Sequence, residues 1–109
     1  MIQFPAVIKL TGQDELIYNA DVADFTVNIQ LQQAYLLADD LLIDATGQGY
    51  LLSDFSTNTQ TQCAATAVFD LHQLTAMVQA HFFSEAQSCV TKIQAPSIAA
   101  LFELLATSN

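Results

Sequence analysis

Few side chains in this sequence could do chemistry: His72 and His81, Cys63 and Cys89, Lys9 and Lys92, and the acids Asp39, Asp40, Asp44 and Asp54. A histidine near a cysteine can act as base and thiol, so His81 with Cys89 or Cys63 is a candidate nucleophilic pair. Lys92 lies three positions beyond Cys89, and Lys9 falls in a similar apolar setting. If their strands are neighbours, the two lysines form a basic spot for a carboxylate. Each of these readings has a plainer rival. His81 borders an apolar helical stripe and reads as a packed histidine, a buried free thiol is the default for a lone cysteine, and a strand lysine reaches out of the sheet to pair with an acid.

Metal and phosphate chemistry find less support. His72 and His81 are nine positions apart on one expected helix, about two and a half turns, and so point to opposite sides. The acids Asp39, Asp40, Asp44 and Asp54 could gather oxygens for a divalent cation, but their order is not that of a calcium loop, and solvated acids flanking a hairpin are the simpler expectation. Thr46-Gly47-Gln48-Gly49 lacks the lysine and following helix of a phosphate loop and reads as a turn. No CxxC, HExxH or GxSxG pattern occurs, so no cofactor or metal is assigned and a non-enzymatic reading leads.

The chain of 109 residues is 52% hydrophobic and 12% charged, a size and composition suited to one α+β domain over residues 1–109. Eleven acids against two lysines and no arginine give a formal charge of −9 and a pI near 4.1. The averaged field repels nucleic acid and anionic membranes, leaving a protein partner or a homo-oligomer as the expected association. A mean hydropathy of +0.35 with so few charges suggests apolar area left uncovered. The opening residues lack a basic start, and no apolar run nears the roughly 18 residues of a membrane span, so a cytoplasmic setting is expected.

The elements that must position these residues follow from periodicity. Alternation over residues 4–10 predicts a strand, Thr11-Gly12-Gln13-Asp14 a turn, and residues 15–19 the returning strand. Residues 25–38 are ambiguous: Phe25, Val27, Ile29 and Leu31 alternate as in a strand, while Val27, Leu31, Ala34, Tyr35 and Ala38 share one helical face. The first half favours strand and the second helix. A hairpin is expected over residues 41–52, a polar loop at 56–62 and a return strand at 64–68. Asp70 with Gln73 forms a capping box for a helix running to about Phe83, with Leu71, Leu74, Val78 and Phe82 inward. A strand over 89–93 and a helix begun by Pro96, facing Ile98, Leu101, Phe102 and Leu105 inward, complete the pattern. The expected fold is α+β, an antiparallel or mixed sheet of about five strands with two to three helices packed on one face.

The blocks Phe4-Pro5-Ala6-Val7-Ile8-Lys9, Gly12 to Tyr18, and Asp40-Leu41-Leu42-Ile43-Asp44-Ala45-Thr46-Gly47 resemble those of a small family of uncharacterised gammaproteobacterial single-domain proteins. Phe4 and Leu42 stand where that family's pattern suggests Trp and Arg. The resemblance implies a bacterial, cytoplasmic setting and no chemistry. The functional expectation is a protein-interaction or self-association module using Ala100 and Leu104, which lie off the terminal helix's inward stripe. The alternatives are a ligand-binding or catalytic site near His81, Cys89, Lys92 and Lys9, and an acidic surface that imitates nucleic acid for a basic protein.

Overall fold

The computed structural model describes residues 2–55, 65–86 and 93–106. Its first strand, β1 (Ala6–Lys9), has Ala6, Val7 and Ile8 all fully buried, so it presents apolar side chains to both sides of the sheet and none of these to water. Such a strand belongs in the interior. It lies between β2 (Leu16–Asn19) and β3 (Leu41–Ile43), and the sheet continues through β4 (Gln48–Leu51) to β5 (Ala67–Val68), in the order β2-β1-β3-β4-β5 with every pair antiparallel.

Two separate apolar clusters follow from the pleat, which sends alternate residues to opposite faces. On one face Val7, Leu16 and Ile43 meet Leu74 and Val78 of α2 (Leu71–Ala86) and Leu101, Phe102 and Leu105 of α3 (Ile98–Ala106). On the other, Ala6, Ile8, Leu42 and Tyr50 meet Phe25 and Ile29 of α1 (Val22–Gln32), with Leu52 and Phe55 from the 3₁₀ turn Leu52–Phe55. Phe25 and Phe55 contact edge to face, with ring centroids 5.2 Å apart. The α+β class and the five-strand sheet agree with the sequence pattern. Two helices share one face as expected, while α1 covers the other because the inner strands are apolar on both sides.

The ambiguous segment resolves against its expected halves. Residues 22–32 are helical where a strand was favoured, and the helix ends in a 3₁₀ turn at Gln33–Tyr35, so the second half is not a continuing helix. Asp21 and Asp24 explain the start: the Asp24 N–H donates to Asp21 Oδ1 at 3.0 Å, and Asp24 Oδ2 accepts the Ala20 N–H at 3.0 Å. Rotation about the helix axis is set by Asn28, whose Nδ2 donates at 2.7 Å to Oδ1 of the buried Asn19 on β2. With Asn28 aimed at the sheet, Phe25 and Ile29 must face inward. The apolar face read from Val27, Leu31, Ala34, Tyr35 and Ala38 then lies on the solvent side.

Other local signals hold. The Gln73 N–H donates to Asp70 Oδ1 at 2.8 Å and the Asp70 N–H to Gln73 Oε1 at 2.9 Å, the reciprocal capping box. The last helix is capped by Ser97, whose Oγ accepts the Ala100 N–H at 3.1 Å, so Pro96 precedes the cap instead of occupying the first turn. The expected loop at 56–62 and residues 89–92 of the expected strand lie outside the described residues.

The β3–β4 turn is clamped under the start of α2. Gly47 has φ +89°, its carbonyl accepts the Phe69 N–H at 2.7 Å, and a Cβ there would sit 2.2 Å from the Phe69 carbonyl oxygen. Only glycine satisfies both the conformation and the approach. Gly47→Ala should therefore destabilise the fold by at least about 2 kcal/mol, read as a lower urea midpoint, and a midpoint equal to that of the wild type would contradict this packing.

Candidate functional site

Among the described residues the buried polar side chains make up an internal set: Asn19, Asp40, Asp44 and His81. All are satisfied, since no buried side-chain nitrogen or oxygen among the described residues lacks a hydrogen-bond partner. Their partners say what they do. His81 sits on the sheet side of α2 and its Nδ1 accepts the Leu16 N–H at 2.8 Å, which places the Nδ1 lone pair on the β2 backbone and leaves the ring proton on Nε2. That nitrogen is committed to holding α2 on the sheet.

Lys9 is the register partner of Leu16, so it and His81 converge on one residue of β2. The Lys9 ammonium donates to the carbonyl oxygens of Leu10, at 3.3 Å, and of Gln13, closing the β1–β2 turn. Cys89, Lys92 and Cys63 lie outside the described residues. His72, on the first turn of α2, is exposed.

Of the acids expected to be solvated around the hairpin, the Asp54 side chain lies outside the described residues and the other three divide in two. Asp39 is exposed, whereas Asp40 and Asp44 are buried because each carboxylate collects backbone donors. Asp40 Oδ1 accepts the Thr11 N–H and hydroxyl, both at 2.7 Å, and its Oδ2 accepts the Leu37 N–H at 2.8 Å, tying the β1–β2 turn to the segment after α1. Asp44 Oδ1 accepts from the Thr46 N–H at 2.9 Å, the Thr46 hydroxyl at 2.6 Å and the Gln48 N–H at 3.2 Å, while Oδ2 accepts the Gln3 N–H at 3.2 Å. These are structural carboxylates. Among the described residues no group of three His, Cys, Asp or Glu side chains is placed to hold a metal ion.

The surface carries the other candidate. Val27 on α1 is exposed, Leu31 is 68% and Tyr35 77% exposed, and Leu37 beyond them is also open to solvent. They recur at i, i+4 and i+8 and then continue into the segment anchored by Asp40, so the ridge is held by hydrogen-bonded backbone. By comparison Ala100 is half-buried and Leu104 only 36% exposed. The helical periodicity of the sequence contained the larger ridge without saying which way it faces. Its exposure depends on Asn28 and Asn19, whose pairing joins a helix to a strand and is not carried by periodicity.

A five-stranded antiparallel sheet with two helices on one face and one on the other, its buried polar groups committed to its own backbone, defines an α+β scaffold. Residues 4–105 match a family described as a protein structure with unknown function, DUF4144, and the chain belongs to that family. A solved structure described as the NMR structure of the protein from Shewanella Amazonensis is similar, with a TM-score of 0.73 and 19% identity over 100% of this chain and 91% of that one. The likeness is one of fold. A search of curated proteins finds no match.

Two variants test the internal assignments. His81→Leu removes the acceptor of a buried N–H and should lower stability by about 1–3 kcal/mol in chemical denaturation, whereas no loss would free His81 from its structural role. Burial pushes the Asp40 carboxyl up, but the hydrogen bonds from Leu37 and Thr11 and the charge of Lys9 outweigh it, and the net direction is below the ordinary value. A depressed carboxyl stabilises the fold above its unfolded pKa and loses that contribution as pH falls through its folded one. Wild-type stability should accordingly fall with acid below the ordinary carboxylate range, and Asp40→Asn should flatten that limb. Identical pH profiles for the two proteins would contradict the tie.

Proposed function

We propose that this is a bacterial, cytoplasmic, non-enzymatic protein-interaction module, and that its docking surface is the exposed ridge Val27, Leu31, Tyr35 and Leu37. One observation carries the reading: Val27 and Leu31 stand open on α1, whose opposite face is used by the core, and Tyr35 and Leu37 stand open in the 3₁₀ turn and segment that follow. Isolated exposed apolar residues are ordinary on protein surfaces, but a helically spaced ridge marks a surface that another chain can cover. The partner is a different protein, because two copies would bring formal charges of −9 together. The family resemblance supports the bacterial and gammaproteobacterial setting. No helix among the described residues is long and apolar enough to cross a membrane.

The C-terminal surface at Ala100 and Leu104 is the competing location, and substitution separates the two. Leu31→Glu changes a largely open position and should shift stability by under about 0.5 kcal/mol, while Leu104→Glu charges a side chain only 36% exposed and is read with its fold confirmed by circular dichroism. Used as baits beside the wild type in a bacterial lysate, Leu104→Glu should keep the wild-type partner and Leu31→Glu should lose it. Loss with Leu104→Glu alone would move the surface to α3, and retention by both variants would remove the ridge from the function.

A further inference from the structure

Between Lys9 and His72 the chain contains no lysine, arginine or histidine, and the whole ridge falls inside that stretch. Acids frame it. Asp24 is exposed in the first turn of α1, one turn before Val27, Asp21 is exposed just before the helix, and Asp39 is exposed two residues beyond Leu37. The nearest cation in sequence, Lys9, has its ammonium on the carbonyls of Leu10 and Gln13 and its charge acts on the buried Asp40 carboxylate.

Resting on the interaction-module reading, we propose that the partner presents a cationic amphipathic helix, an apolar row flanked by lysine or arginine, to this ridge. The apolar row covers Val27, Leu31 and Leu37, while the flanking cations meet Asp24 and Asp39. Tyr35 offers an open ring face to one of them, an attraction of the cation–π kind. Charge settles which occupant fits. A second copy would set Asp24 and Asp39 against like charges, and nucleic acid or an anionic bilayer would meet the same repulsion. Because Asp40 already fixes the backbone at Leu37, docking here needs little ordering of the module's own chain.

The test titrates the ¹⁵N-labelled full chain, at about 0.15 M salt where long-range attraction is screened, with three synthetic helical peptides. One alternates leucine and lysine with an amphipathic period, one replaces its leucines by serine, and one replaces its lysines by glutamate. The leucine–lysine peptide should shift amides across residues 24–37 and bind at least about tenfold more tightly than either control. Leu31→Glu gives the decisive comparison, because it adds a negative charge. Bulk electrostatics would tighten its binding to the leucine–lysine peptide, whereas docking on the ridge weakens it about tenfold. The amide spectrum outside α1 reports whether the variant is folded. Equal binding by the serine–lysine peptide, or undiminished binding by Leu31→Glu, overturns the proposal in favour of unspecific attraction. Equal binding of the leucine–glutamate peptide at the ridge overturns the charge selection and leaves the docking surface standing. Shifts that avoid residues 24–37 with every peptide overturn both.

Discussion

A strand with no solvent face governs this structure. Ala6, Val7 and Ile8 are fully buried, and their neighbours Leu42 and Ile43 on β3 are buried toward opposite sides, so the sheet is unstable unless both faces are covered. At about 25 cal/mol per Å² of apolar area, leaving either cluster open would forfeit much of the drive to fold. Two helices cover one side. The other is covered by α1, whose inward row is short and centres on Phe25 and Ile29. An 11-residue helix pressed down by so narrow a row leaves its remaining apolar residues outside. The exposed ridge is thus a geometric consequence of how the second face is sealed.

Polar groups in the interior serve the same end. The Asp40 carboxylate joins the β1–β2 turn to the chain leaving α1, Asp44 knits the β3–β4 turn to the N-terminal segment, Asn19 orients α1 through Asn28, and His81 fastens α2 to β2. A buried carboxylate is stable when several donors surround it, and these two each have at least three. Of the groups that could have supplied chemistry, Lys9, Asp40, Asp44 and His81 are therefore turned toward the protein's own backbone. The proposed function is accordingly placed on the surface, where an acidic field and an apolar ridge coincide.

How much of this the residues disclose varies with the range of the interaction. The Asp70 and Gln73 box, the two hairpins and the inward stripes of α2 and α3 are local, and each agrees with its pattern. Residues 25–38 fail locally because the alternation of Phe25, Val27, Ile29 and Leu31 fits a strand as well as a helix, and only the Asn28 contact to Asn19 fixes the rotation. Asp40 and Asp44 look like surface acids until the donors of Thr11, Leu37 and Gln3 are brought to them by folding. Gly47 is legible as a turn glycine, but its contact with the Phe69 carbonyl depends on where α2 begins. The candidate surface is present in the sequence as an apolar helical face whose direction the pattern leaves open.

The claim on which the functional account rests is that α1 buries Phe25 and Ile29 and leaves Val27 and Leu31 open in the free protein. Attenuation of methyl NMR signals by a soluble paramagnetic probe measures this side chain by side chain. The account predicts strong attenuation at the Val27 and Leu31 methyls and protection at Ile29. Equal protection of all three would mean that the ridge is already covered, and strong attenuation at Ile29 with protection of Val27 would mean that the helix is rotated; either result contradicts the account.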